Sequence, residues 1–552
     1  MIIKEFSHDL QLKNSKQTED PIILIQQFFI PEDKQRYDEI KYCLQKNVEN
    51  PFISEIHLLN EKIYSNEELG ITSKKIIQYD VKRRLHYSNI FDYVEVINKK
   101  CYVVFSNSDI EIDISIYKLN YSLLSSKKLF MGLLRYNKNE QNEIKQYTNR
   151  NGIVIGESQD TWIFHSNFNI QRNHIKIFDF YFGIPGCDNK LLYLLKILGF
   201  QILNTPKKII TIHHHNSKER SYNNDNNIIK MPYYFSIPYG YYDRINSPTN
   251  FEDNNKLYHY IFEKFTKNKN FIIPRMAGCE NVLVKKYYDF FDYYRRQGKN
   301  QNIFKDNQLH TYFGKDMIHV LKNNAGIQIN EINEINDITI YSKLFLESFK
   351  NSDLYFAWTK YEKNYSKYHE LVFEKIPRDT LWAFTLDIFH YIHYEPWTLA
   401  LRGRKILIIS SFNESIREKI EIREKIYGID LFPECSFIFL KPPQTQGTNK
   451  SRAFHVELNE FTKKIKNVKD NFDIALVSAG GYGNLICNEI FKMGRSSIYV
   501  GGVLQMYFGI YGERWQRERS DIMNMYKNSY WSRPKETERP ANYENIEDAC
   551  YW

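Results

Sequence analysis

Long apolar runs that alternate with amphipathic stretches constrain the fold of this chain more than any other feature of its sequence. Residues 21–30 read as a buried strand, residues 32–50 as an amphipathic helix and residues 53–61 as a second strand. A further helix surrounds residues 87–98, and the apolar run that begins at Tyr102 is the next strand. Strand, helix and strand at this spacing predict a parallel α/β sheet with ligands at the C-terminal ends of its strands.

A second pattern of the same kind begins near residue 271. Continuous apolar runs are typical of parallel strands that are buried on both faces, and the second half of the chain has them at 404–412, 435–441, 472–484 and 496–502. The polar, Asn-rich segment 215–232 separates the two patterns. We therefore predict the α/β fold class with two Rossmann-like domains. The predicted organisation is an extension at 1–18, a first domain at 19–225, a linker at 226–270 and a second domain at 271–552.

Composition excludes several classes of protein. The formal net charge of +9 comes from 75 basic and 66 acidic residues and is spread along the chain, whereas nucleic-acid binders concentrate such charge. The 7 cysteines form no C-x-x-C pair, which favours reduced thiols and argues against a zinc module. We find neither a signal peptide nor an apolar window long enough to span a membrane. We expect a cytoplasmic protein with no nucleic-acid partner and no transmembrane segment.

Several polar residues of the first half form a candidate metal site. Asp109 follows the buried strand that begins at Tyr102, and Glu111 and Asp113 follow at alternate positions. A histidine triplet ends at His215, after the apolar run 209–212. Carboxylates with one or two imidazoles suit a hard cation, Mn²⁺ or Mg²⁺.

The order of these motifs resembles the GT-A-fold nucleotide-sugar glycosyltransferases. By that resemblance Asp109 is the second acidic residue of a D-x-D turn and binds the metal, with Asn107 where the first Asp usually stands. Asp188 stands where inverting enzymes of this kind keep the catalytic base, and His213, with His215, matches the late metal ligand. The chemistry needs such groups, because the nucleoside diphosphate leaves with negative charge and the acceptor hydroxyl must lose a proton.

Alternative interpretations stay open for each residue of the first half. Asp109 caps the next turn, and Asp188 caps the helix that follows it, if neither has a chemical role. Arg84 either meets the diphosphate or lies on a solvated helix face. Gln26 and Gln27 either contact the base or ribose of a nucleotide or are strand-end amides bonded to backbone.

A glycine-rich turn marks the second half. Gly480, Gly481, Gly483 and Asn484 follow a buried strand and precede a helix, where backbone N–H groups approach a phosphate. The alternative is a tight strand-to-helix turn without a ligand. The loop 441–452 is a further candidate for an active-site loop.

The second half resembles GT-D-type glycosyltransferase domains. These domains open with R-x-G-D-G-E, and here Arg275 and Glu280 are kept while Gly278 replaces the Asp. The resemblance implies that Arg275, the glycine turn and Gln505 bind a nucleotide sugar, and that Glu280 is catalytic.

We hypothesise a two-domain glycosyltransferase that uses Mn²⁺ or Mg²⁺ and transfers sugars from nucleotide-sugar donors to a glycan acceptor. The expected role is synthesis of a surface or capsule-type polysaccharide. Two alternatives remain: one active domain joined to a degenerate one, and a non-catalytic carbohydrate-binding protein on a transferase fold, since fold does not fix function.

Overall fold

The computed structural model describes residues 20–138, 143–149, 152, 156, 158–217, 228–236, 238, 251–276, 278–296, 315–329, 334–357, 379–447, 451–546 and 549–552. The chain divides into two compact units, Met1–Pro248 and Thr249–Trp552. We call them unit 1 and unit 2 and describe each by itself.

Unit 1 contains eleven described strands and five described α-helices. The strands are β1 (Ile22–Gln26), β2 (Glu55–Asn60), β3 (Ile76–Asp80), β4 (Tyr102–Ser106), β5 (Ile110–Ile112), β6 (Leu129–Leu134), β7 (Tyr136–Lys138), β8 (Ile144–Gln146), β9 (Gln159–His165), β10 (Gln201–Leu203) and β11 (Thr211–His213). The helices are α1 (Lys34–Glu49), α2 (Asn66–Leu69), α3 (Tyr87–Ile97), α4 (Arg172–Ile175) and α5 (Cys187–Ile197).

The main sheet of unit 1 has seven strands in the order β10-β6-β9-β4-β1-β2-β3. All neighbours are parallel except β9, which is antiparallel to both β4 and β6. The expectation of a wholly parallel sheet is therefore wrong at this strand. Because β9 runs the other way, its first residues lie at the edge where β4 and β6 end.

A second sheet of unit 1 has the order β5-β11-β7-β8, and its strand β5 follows β4 in the chain. Strand β11 pairs antiparallel with β5, so that His213 is opposite Ile110 and Thr211 is opposite Ile112. This register brings the end of β11 next to Asp109, which immediately precedes β5.

Unit 2 contains seven described strands and ten described α-helices. The strands are β12 (Ile272–Ile273), β13 (Leu354–Ala357), β14 (Asp379–Trp382), β15 (Lys405–Ile409), β16 (Ser436–Leu440), β17 (Ile474–Val477) and β18 (Ser496–Tyr499). The helices are α6 (Phe251–Thr266), α7 (Gly278–Arg296), α8 (Lys315–Val320), α9 (Glu334–Lys350), α10 (Asn413–Lys419), α11 (Glu424–Tyr427), α12 (Phe454–Val468), α13 (Gly483–Lys492), α14 (Glu513–Glu518) and α15 (Ser520–Tyr526).

The main sheet of unit 2 is wholly parallel, in the order β12-β18-β17-β15-β16. Residues of β15 and β17 are almost entirely buried, as the continuous apolar runs predicted. A separate parallel pair, β13 and β14, completes the strands.

The α/β fold class predicted from the sequence is confirmed. The structure differs from the predicted linker, because residues Phe251–Thr266 form helix α6, whose Asn254 is bonded to Trp397 and Glu395 of unit 2. The predicted extension 1–18 lies outside the described residues. No helix in the described ranges has the length and apolar character needed to cross a membrane.

Candidate metal centre and active site

Asp109, His213 and His215 form a group whose ligand atoms all lie within 4.8 Å of one another. The Oδ2 atom of Asp109 lies 3.0 Å from Nε2 of His213 and 3.4 Å from Nδ1 of His215. The pairing of β5 with β11 brings Asp109 close to the histidines, because it joins segments that are 104 residues apart in the chain. His214, between the two, turns away and contacts Glu111 at 2.7 Å.

The electrostatics of Asp109 suit a cation. Burial by itself raises the pKa of this carboxyl, but the charge and hydrogen bond of His213, the hydrogen bond of His215 and the charge of Arg36 hold the pKa well below its usual range. Asp109 is only 3% exposed. Its second oxygen, Oδ1, is buried and accepts no hydrogen bond from any residue that the structure describes.

These residues therefore fit a divalent metal ion. They offer an ionised carboxylate with a free oxygen and two imidazoles, a set that suits Mn²⁺ better than Mg²⁺, which prefers oxygen ligands. The alternative role of Asp109, as a turn cap, does not explain the two histidines.

Asp188 lies in the first turn of α5, where Gly186 occupies the cap position. Asp188 is therefore not the N-cap residue of α5, although its carboxylate accepts from a backbone N–H of the first turn. Burial raises the pKa of Asp188 to about 7, although backbone N–H groups of Asn189 and Gln159 stabilise its charged form. A carboxyl with this pKa exchanges a proton near neutral pH, as a general base must.

Strand β9 connects Asp188 with the turn that precedes Asp109. The backbone N–H of Gln159 donates to Asp188 at 3.2 Å, and the next residue, Asp160, accepts from the side chain of Asn107 at 2.7 Å. Arg135 pairs with the other oxygen of Asp160 at 2.5 Å. Asn107 thus has the carboxylate of Asp160 as its partner and positions the turn between β4 and Asp109.

Gln26 and Gln27, two further predicted residues of unit 1, differ in their hydrogen bonding. Gln26 is 2% exposed, and its amide donates to Ser106 and to the backbone oxygen of Asn107. The role of a strand-end amide therefore describes Gln26. Gln27 accepts from the backbone of Leu85, while its Nε2 is buried without a partner among the described residues.

Arg84 precedes Leu85, whose backbone N–H donates to Gln27. Its guanidinium donates to the backbone oxygen of Phe182 at 3.3 Å and lies over the ring of Tyr181. The side chain is half-buried, so a wholly solvated helix face does not describe it.

Unit 2 contains a cavity of about 360 Å³ at the C-terminal edge of its main sheet. A residue from beyond the end of each of the five strands lines it: Arg275, Ser411, Gln444, Ser478 and Gly502. This is the edge at which open parallel sheets bind ligands. Gln444 and Gln446 come from the loop 441–452 that the sequence indicated.

Four of the predicted residues of the second half line this cavity: Arg275, Glu280, Gly480 and Gln505. Arg275 stacks over the ring of Tyr499 and donates to the backbone oxygen of Val500 at 3.3 Å. Gln505 is 2% exposed, and its Oε1 accepts no hydrogen bond from the described residues. Glu280 is buried beside Cys279, whose thiol donates to it at 3.2 Å.

Gly481, Gly483 and Asn484 do not line the cavity. A Cβ at Gly481 would lie 2.5 Å from Ile327, and one at Gly483 would lie 2.3 Å from Tyr499, so close packing requires both glycines. Asn484 exchanges two hydrogen bonds with the backbone of Arg275, at 2.9 and 2.8 Å. For these three residues the tight-turn interpretation is the one that the geometry supports.

Sequence reasoning missed Arg36, Asp160 and Tyr551. Arg36 contacts Asp109 at 2.6 Å, and Tyr551 bonds to Arg514 at the cavity of unit 2. No pattern in the sequence marks them, because each reaches its partner through tertiary packing.

Comparison with known proteins gives similarities to solved structures only. No protein-family model matches the sequence. No curated protein matches it. A mannosyltransferase from Pyrobaculum calidifontis, solved in complex with GDP-Man and Mn²⁺, is 10% identical with a TM-score of 0.25, over 48% of this chain and 71% of that one. The domain of unknown function 1792, described as a distinct glycosyltransferase fold, is 14% identical with a TM-score of 0.24, over 54% of this chain and 94% of that one. At this distance the function must be inferred from the residues of this chain.

Proposed function

We propose that unit 1 transfers a sugar from a nucleotide-sugar donor to a hydroxyl of a glycan acceptor and that it depends on a divalent cation. One observation carries the proposal. A metal-compatible group, Asp109 with His213 and His215, and a buried carboxyl that titrates near pH 7, Asp188, are joined through the start of one strand, β9.

Asp188 is the proposed general base. In the transfer, the bond between the anomeric carbon and the phosphate oxygen of the donor breaks, and a bond from that carbon to the acceptor oxygen forms. The acceptor hydroxyl gives its proton to the carboxylate of Asp188. A base whose pKa lies near the working pH combines a useful charged fraction with sufficient proton affinity.

Asp109, His213 and His215 would hold Mn²⁺, or less favourably Mg²⁺. The bound ion supplies charge neutralisation for the departing diphosphate. Asp109 has one oxygen without a hydrogen-bond partner in the described ranges and is kept ionised by its neighbours. Gln27 and Arg84 are the proposed contacts to the nucleotide and its diphosphate. The buried Nε2 of Gln27 has no hydrogen-bond partner among the described residues, and Arg84 carries a half-buried positive charge.

We propose that the cavity of unit 2 binds a second nucleotide sugar. Arg275 and Arg514 give it positive charge, and Gln505 presents an unpartnered buried oxygen among the described residues. A volume of about 360 Å³ is in the range of small-molecule sites. If unit 2 turns over its donor, Glu280 is the proposed catalytic group. The replacement of Asp by Gly278 favours the alternative in which unit 2 binds the donor without turnover.

The test uses the purified full chain with Mn²⁺ and a panel of UDP, GDP and dTDP sugars. Release of nucleoside diphosphate that stops with EDTA and in Asp188→Asn would support the proposal for unit 1. Binding of these nucleotide sugars to the Asp109→Asn variant, measured as a shift in its unfolding temperature, reports on unit 2 separately. A chain that neither binds nor turns over any donor contradicts the proposed function. The role in surface or capsule-type polysaccharide synthesis remains a prediction from the resemblance.

A further inference from the structure

One face of helix α1 holds the segment that carries the two candidate histidine ligands. The carboxylate of Glu39 accepts from the backbone N–H groups of Asn216 and Ser217, at 2.7 and 3.1 Å. The carboxylate of Asp33, which caps α1, accepts from the hydroxyl of Ser217 at 3.1 Å. Asn216 and Ser217, which follow His215, are therefore bonded to the helix independently of any metal ion.

Arg36 lies on the same face of α1, between Asp33 and Glu39. Its Nη2 is 2.6 Å from Oδ2 of Asp109, and its Nη1 is 3.4 Å from Oε2 of Glu39. The side chain of Arg36 is 12% exposed and that of Asp109 is 4% exposed, so water screens this contact only weakly. The guanidinium contacts the same carboxylate oxygen that His213 and His215 approach.

We propose that Arg36 is a built-in counter-ion that neutralises Asp109 when no metal is bound and competes with the divalent cation for this carboxylate. Arg36 thereby sets the metal affinity of the site. The inference rests on the proposed metal centre of unit 1 and goes beyond it by naming the residue that tunes it.

The physical reason is the cost of a buried, unpaired charge. Without Arg36 the ionised carboxylate of Asp109 would lie in a poorly solvated site with the two imidazoles beside it and the charge of Arg135 as a further electrostatic partner. Its burial would then be less fully compensated, which destabilises the folded chain. A divalent cation that enters the site must lie within a few ångströms of the guanidinium, and the two positive charges repel each other. Removing Arg36 therefore destabilises the metal-free state and relieves the repulsion in the metal-bound state.

The experiment is Mn²⁺ titration of the full chain by calorimetry, together with thermal unfolding with and without Mn²⁺. Three chains are compared: the natural sequence, Arg36→Gln and Lys41→Gln. Lys41 lies on the same helix and pairs with Asp38 at 3.7 Å, so it reports the effect of losing a positive charge that does not touch Asp109. We expect Arg36→Gln to bind Mn²⁺ at least about tenfold more tightly and Lys41→Gln to match the natural chain.

Thermal unfolding supplies a second readout. Metal-free Arg36→Gln should unfold at a lower temperature than the natural chain, and saturating Mn²⁺ should raise its midpoint by a larger amount. If the metal-free Arg36→Gln protein does not fold, Arg36→Lys replaces it. That variant keeps the charge without the planar fork, and we expect it to bind Mn²⁺ more tightly than the natural chain does. Equal or weaker binding by Arg36→Lys would then overturn the counter-ion role.

The results separate the counter-ion role of Arg36 from the metal dependence of unit 1. Equal or weaker Mn²⁺ binding by Arg36→Gln overturns the counter-ion role while the metal centre stands. An equal increase of Mn²⁺ affinity in Arg36→Gln and Lys41→Gln also overturns the counter-ion role, because the increase then comes from the change in net charge. If neither the natural chain nor Arg36→Gln binds Mn²⁺, both the counter-ion role and the metal dependence of unit 1 are wrong.

Discussion

The carboxylate of Asp188 accepts a hydrogen bond of 3.2 Å from the backbone N–H of Gln159, the first residue of β9. The next residue, Asp160, bonds to Asn107 in the turn before Asp109. The proposed base and the turn that precedes the proposed metal ligand are thus anchored to adjacent residues of one strand. The antiparallel direction of β9 makes this possible, because it brings the start of that strand to the edge where β4 ends.

Asp188→Asn should lower the rate of sugar transfer by about 10²-fold or more, because general acid–base groups contribute factors of this order. The measurement is release of nucleoside diphosphate at saturating donor. Asp38→Asn, at an exposed carboxylate on α1, is the control and should keep full activity. An Asp188→Asn chain with unchanged turnover would remove Asp188 from the mechanism.

Activity of the natural chain should rise with pH through about 7, where Asp188 loses its proton. The ionised form is the one that accepts the proton of the hydroxyl, so activity is low on the acid side. A pH–rate profile at saturating Mn²⁺ and donor tests this. A profile that is flat between pH 6 and 8, values chosen about one unit on either side of that pKa, speaks against the base role.

The same group should make the free energy of unfolding depend on pH. The pKa of Asp188 is raised in the folded state, from 3.8 to about 7. The folded chain therefore holds this proton more tightly, and the stabilisation is complete below the unfolded pKa and is lost as pH rises to the folded pKa. The difference in unfolding free energy between Asp188→Asn and the natural chain should change by up to about 4 kcal/mol across this window. Chemical unfolding at both ends of the window measures it, and a constant difference contradicts the raised pKa.

His213→Ala should lower Mn²⁺ affinity by at least about tenfold and abolish most of the metal-induced rise in unfolding temperature. His214→Gln is the matched control in the same triplet, because the His214 side chain bonds to Glu111 and not to Asp109. Calorimetry and thermal unfolding of both variants distinguish them. Similar losses in both would show that the triplet acts through local structure and not through metal ligation.

Gly501→Ala should destabilise unit 2 more than Gly403→Ala. Both glycines have positive φ, +77° and +70°, and share a backbone cost of about 1–2 kcal/mol on substitution. At Gly501 the new Cβ would lie 2.4 Å from the guanidinium of Arg275, whereas nothing lies within 4 Å at Gly403. We expect the guanidinium to move and to lose its hydrogen bond to Val500, at an additional cost of about 0.5–1.5 kcal/mol at Gly501. Unfolding of the two variants measures the difference, and weaker binding of nucleoside diphosphates should accompany it only at Gly501.

Much of the fold and part of the candidate site could be predicted from the sequence. Apolar periodicity is local, so the strands that became β1, β2, β15 and β16 were recognisable within a few residues of their ends. Residue type was enough to select Asp109 and the histidine cluster as candidate ligands, because few side chains bind a metal ion. Asp188 and Arg275 were selected through the resemblance to glycosyltransferase domains.

Tertiary structure alone decided what these groups have as neighbours. His213 meets Asp109 through the pairing of β11 with β5, Arg36 reaches the same carboxylate from α1, and no local pattern encodes either contact. The pKa of Asp188 depends on burial under segments far from it in the chain, and the roles of Gln26 and Asn484 depend on hydrogen bonds over 80 and 209 residues. The sequence by itself determined which chemistry was available, and the packing of distant segments determined which charges are buried, paired or left open to a ligand, because burial and electrostatic coupling act over distances in space and not along the chain.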